Sequence, residues 1–107
     1  MKPEDLLRES AQLLEDRAAQ RDQPNGERSM RSAILAFNAV TNSTLTEREG
    51  WLFMVLLKMV RAQYGKYVLD DYADMAAYAA LANEAAKPHD HNIGLANKGG
   101  TNELRNK

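Results

Sequence analysis

The 107-residue chain contains no cysteine, three prolines, six glycines, one tryptophan and no run of large apolar residues longer than the seven from Trp51 to Leu57. Each shortage excludes something. Without cysteine there is neither a disulfide framework nor thiolate chemistry, which suits a reducing cytoplasm. Seven apolar residues are far too few to span a bilayer, so no membrane is expected as a partner. The opening Met1-Lys2-Pro3-Glu4-Asp5 leads at once into charged, helix-like sequence, which argues against a secretory signal. Fourteen basic against fifteen acidic side chains leave a net charge of −1. That balance sets up no long-range field toward nucleic acid or anionic lipid. The length suits one domain.

What is present is alanine and helical periodicity, with no alternating run long enough for a strand. The fold class expected is all-α: a compact bundle of about four helices over residues 1–87, followed by a flexible tail over 88–107. The first helix begins with Pro3 in its first turn, carries Glu4 and Asp5 where the helix dipole favours acids, and ends near Arg21 with Arg17 also close to its C-terminus. Its apolar stripe is Leu6, Leu7, Ala11, Leu14 and Ala18. Asp22-Gln23-Pro24-Asn25-Gly26 has the chemistry of a turn. Helix two runs from about Arg28 to Thr41, with Met30, Ile34, Phe37 and Ala33 or Val40 on one face, and Asn42-Ser43-Thr44 ends it.

Thr46-Glu47-Arg48-Glu49 reads as a capping box at the start of helix three, roughly 47–64. That helix is apolar almost all round, through Trp51, Leu52, Phe53, Met54, Val55, Leu56, Leu57, Met59 and Val60. Such a helix requires burial on every side, as the central helix or at a subunit interface. Gly65 and Lys66 close it. Helix four follows from about Asp70 to Ala86, where Pro88 blocks continuation. Helices three and four should form an antiparallel hairpin. Because the apolar perimeter of helix three exceeds what three short neighbours cover, a homodimer is the expected state.

Two bases, Lys58 and Arg61, interrupt helix three, and two acids, Asp71 and Asp74, stand early in helix four. Each pair is three residues apart and so shares a helical face. In an antiparallel hairpin, residues equidistant from the turn lie level, which sets Lys58 opposite Asp74 and Arg61 opposite Asp71. Tyr78 lies one turn beyond Asp74 on the same face. Such an array suits salt bridges that fix helix register, with Tyr78 completing the hydrogen bonding. It equally suits an anion or nucleotide site, with the bases on phosphate oxygens and the aspartates orienting them or holding magnesium. Arg28, at the start of helix two, is a further candidate anion contact because helix N-termini favour anions. His89 and His91 are too few for a metal site, and no metal ligand set is assigned. Tyr64, Tyr67 and Tyr72 cluster at the hairpin turn, but without a wider basic field they argue against nucleic-acid binding.

Gly26-Glu27-Arg28-Ser29-Met30, Ala36-Phe37-Asn38-Ala39-Val40-Thr41, Leu45-Thr46-Glu47 with Glu49-Gly50-Trp51, Leu57-Lys58 with Arg61, and Asp71, Asp74 with Ala76-Ala77-Tyr78-Ala79-Ala80-Leu81 occur in one order. Together they resemble a family of small proteins of unknown function encoded mostly by tailed bacteriophages and prophages. The resemblance covers about residues 5 to 86 and brings no assigned activity; an accessory protein of the host-cell cytoplasm that acts by binding a host or phage protein is the expectation. More distantly, the chain resembles the all-α nucleoside triphosphate pyrophosphohydrolases of the MazG and dimeric dUTPase type. In those enzymes an E-E-x-x-E motif on one helix and an E-x-x-D motif on the next hold magnesium. Asp71-x-x-Asp74 resembles the second motif, but Leu57, Lys58 and Arg61 stand where the first motif's acids belong. The expectation is therefore a non-enzymatic binding or regulatory protein without a cofactor; the alternative is a nucleotide-binding or magnesium-dependent pyrophosphohydrolase-like protein.

Overall fold

A computed structural model describes residues 1–21 and 29–87, with the Arg21 side chain left aside. It is all-α: α1 (Pro3–Arg21), α2 (Ser29–Thr41), α3 (Glu47–Tyr64) and α4 (Leu69–Ala86). The expected turn at 22–26, Arg28, and the tail from Pro88 onward with His89 and His91 lie outside the described residues.

Local chemistry sets the boundaries. Thr46 adopts extended backbone and forms the full capping box, its hydroxyl accepting from Glu49 N–H at 3.1 Å while the Glu49 carboxylate accepts from Thr46 N–H at 2.9 Å. Asn42, just past α2, has φ of 57°, and Ser43 N–H donates to Asn38 C=O at 3.0 Å. That is the left-handed cap which satisfies a carbonyl at a helix end. The Asn38 amide donates to Leu45 C=O at 2.8 Å and accepts from Leu45 N–H at 3.0 Å, so one side chain pins the whole α2–α3 turn.

The helices pack in the order α1, α4, α3, α2: α4 contacts both α1 and α3, and α2 meets α3. The inner pair is therefore α4 and α3, and the buried residues of α4 are Asp71, Ala73, Asp74, Ala77 and Ala82. Ala73 and Ala77 are fully buried, and Ser10 of α1 donates to Ala73 C=O at 2.9 Å. Small side chains on both helices allow this approach. The α1 stripe is only partly as expected. Leu6, Leu14 and Ala18 are half-buried, but Leu7 and Ala11 face solvent, and Leu13 and Ser10 take their places. On α2, Met30 and Ile34 turn inward while Phe37 and Val40 stay exposed.

Helix α3 buries only Gly50 and Trp51. Gly50 marks where α2 crosses, since a Cβ there would lie 2.5 Å from Met30 Sδ and 2.9 Å from Ile34 Cδ1. The opposite side, from Leu52 to Tyr64, stays open. Helix α3 packs between α4 and α2, and the described residues leave this side of it uncovered. Among the described residues, no helix is long and apolar enough to cross a membrane.

Candidate functional site

The α3–α4 hairpin does bring Lys58 to Asp74, with Nζ 2.7 Å from Oδ2. Lys58 Nζ also lies 3.9 Å from Asp71 Oδ1. One ammonium thus serves both acids, which lie one turn apart on one face. The expected partnership of Arg61 with Asp71 is not formed: Arg61 is exposed and makes no ion pair among the described residues. Lys58, within 2.7 Å of Asp74 and 3.9 Å of Asp71, takes the place beside Asp71 that Arg61 was expected to fill.

The second base comes from a different helix. Arg17 of α1 donates from Nη2 to Asp74 Oδ1 at 2.9 Å, and its guanidinium carbon sits 5.3 Å from the centroid of the Tyr78 ring. Asp74 accordingly receives Lys58 on one oxygen and Arg17 on the other, tying α1, α3 and α4 together. The side chains of Lys58, Asp71 and Asp74 are 11–13% exposed and that of Arg17 25% exposed. In such surroundings charge-assisted hydrogen bonds gain strength, while an unpaired carboxylate would be strongly penalised.

Tyr78 contributes its ring and not a hydrogen bond to the carboxylates: one face meets Arg17, and Trp51 stacks on the ring with centroids 5.6 Å apart and planes 24° from parallel. Trp51, Tyr78 and Arg17 line a cavity of about 330 Å³ together with Ser29, Met30, Ala33 and Met54. Its lining is largely apolar and aromatic, and the one charged group among the described residues that line it, Arg17, is already held by Asp74. Near the hairpin turn, Tyr67 and Tyr72 stack on each other at 6.0 Å, both exposed.

The sequence reading missed Arg17 and Ser10. Arg17 follows Leu14 by three and Ser10 by seven positions, which sets it on the α1 face that meets α4. That spacing was the available signal, although a base near a helix C-terminus is equally accounted for by the dipole.

Magnesium does not fit this donor set. It requires several oxygen ligands in octahedral array, whereas here an ammonium and a guanidinium occupy both oxygens of Asp74 and the same ammonium faces Asp71. No cluster of three or more metal-binding side chains occurs among the described residues.

Neither a curated protein nor a solved structure matches the chain. Comparison with known families does match it, over residues 5–86, to a domain of unknown function designated DUF6378. That span contains all four helices almost entirely, together with Arg17, Lys58, Asp71, Asp74 and Tyr78. The chain belongs to the DUF6378 family.

Proposed function

We propose that this protein is a non-enzymatic binding or regulatory protein, an accessory factor of a phage or prophage that works in the host cytoplasm as a homodimer on a host or phage protein. The observation that carries the non-enzymatic part is the double engagement of Asp74, 2.7 Å from Lys58 and 2.9 Å from Arg17. A carboxylate held by two bases is neither a metal ligand nor a general base in waiting. The seam joins three helices, and its chemistry is spent on holding them in register. The phage setting rests on the sequence motifs alone.

A second reading has its own support. The cavity of about 330 Å³ is the size of a small-ligand site, and a Trp51–Tyr78 stack with Arg17 beside it suits a planar anionic molecule such as a nucleotide. Thermal unfolding in the presence of the nucleoside triphosphates, each with and without magnesium, separates the readings, because ligand binding to the native state raises the melting temperature. The binding-protein reading expects no shift. A shift without magnesium favours the cavity. A magnesium-dependent shift accompanied by pyrophosphate release overturns the non-enzymatic reading.

A further inference from the structure

The outer face of α3 is an apolar surface that the described residues leave uncovered. At about 100° per residue, Leu52, Phe53, Leu56, Met59, Val60 and Tyr64 fall on one side of the helix. They are 39%, 64%, 55%, 50%, 54% and 83% exposed. Within this stretch the one charge on α3 before Arg61 is Lys58, and it points the other way, into the Asp71 and Asp74 carboxylates. The inward side of the chain is correspondingly poor. Among the described residues the buried apolar side chains are Trp51 and three alanines, and no large side chain is fully buried. Such a core is small against the ordering entropy of four helices.

We infer that a second copy of this chain docks on the outer face of α3, the two α3 helices running antiparallel about a two-fold axis at Leu56. The inference rests on the dimeric reading above and gives it a surface and a register. A partner that completes a deficient core must be present whenever the chain is, and a second copy meets that condition. The face is also self-complementary. With Leu56 meeting its own counterpart, Leu52 lies opposite Val60 and Phe53 opposite Met59, an aromatic ring against a pliable thioether. Glu49 at one end meets Gln63 at the other, so no like charges are brought level. Antiparallel α3 helices also set their dipoles in opposition.

The area is sufficient. Six side chains of these sizes and exposures offer on the order of 600–700 Å² per copy, close to the roughly 800 Å² per partner of a standard stable interface. Pairing the two α3–α4 hairpins builds a four-helix bundle with a continuous apolar centre.

The absence of cysteine makes the test direct. Sedimentation of the unmodified chain gives its mass, and single cysteines report the surface through a short bis-maleimide. Leu56→Cys should link to itself. Leu52→Cys mixed with Val60→Cys should give the crossed product on the order of tenfold above either variant alone, because identical sites lie roughly 12 Å apart along the axis while unlike sites are level. Glu84→Cys on α4 serves as the unlinked control. A monomeric mass at all concentrations overturns both the dimer and this face. A dimeric mass without the Leu56 link leaves the dimer standing and overturns the face. Leu52→Cys linking to itself in preference to Val60→Cys overturns the antiparallel register.

Discussion

Lys58 of α3 holds Asp74 of α4 at 2.7 Å, and the opposite oxygen of the same carboxylate is held by Arg17 of α1 at 2.9 Å. Asp74 thereby ties three of the four helices together. Removing it strands Arg17 and leaves Lys58 with the more distant Asp71 alone, 3.9 Å away, in largely buried surroundings. Asp74→Ala is expected to lower the unfolding free energy by about 3 kcal/mol, within the range for breaking a buried pair from one side. Replacing Arg17 by Met in the same chain should restore part of the loss, because the stranded guanidinium goes with it while Lys58 keeps Asp71. Urea denaturation of the single and double variants checks both statements.

Arg17 and Arg61 should behave very differently, although both are arginines near the C-terminal end of a helix. Arg17→Ala removes a carboxylate partner and the cover over one face of Tyr78. A loss of about 1–3 kcal/mol is expected from a partly exposed, charge-assisted contact with a stacked guanidinium. Arg61→Ala touches no ion pair among the described residues and should stay within about 0.5 kcal/mol of the parent. Equal losses for the two variants would return Arg61 to the seam.

Where local chemistry decides structure, sequence and fold agree. The capping box at Thr46, the hairpin between Tyr64 and Leu69 and the pairing of Lys58 with Asp74 all follow from spacing within one hairpin. Contacts between distant segments were harder to read. Arg17 reaches Asp74 across 57 positions, and no periodicity within α1 announces which helix its face will meet. The pairing of Arg61 with Asp71 did not form because one ammonium can serve two carboxylates a turn apart, so level position alone does not call for a second base. The central place of α4 was likewise hidden, since its alanines bury little area each and are passed over when apolar stripes are sought among large residues.

The N-terminus of α3 offers a third measurement. Thr46 and Glu49 exchange two hydrogen bonds that satisfy amides otherwise without partners at the helix start. Thr46→Ala should cost about 1 kcal/mol, typical of a lost N-cap. Thr46→Ser retains the hydroxyl and should recover most of it. Thermal melts followed by circular dichroism suffice, since α3 contributes a large share of the helical signal.

Gly50 gives the prediction whose sign is most revealing. In a helix interior, exchanging glycine for alanine ordinarily stabilises by about 0.5–1 kcal/mol, because glycine loses more backbone freedom on folding. Here the added methyl would stand 2.5 Å from Met30 Sδ and 2.9 Å from Ile34 Cδ1, distances at which something has to move. Met30 is a flexible, half-buried side chain and can swing aside, but Ile34 is branched and holds the α2 face against α3. Gly50→Ala is therefore expected to destabilise by about 1–2 kcal/mol, as overpacking does. Combining it with Met30→Ala and Ile34→Val should relieve the crowding and bring back part of the helix-propensity gain. If Gly50→Ala alone raises the melting temperature, α2 does not cross α3 at this residue, and the cavity that α2 helps to wall beside Trp51 and Tyr78 loses its outer side.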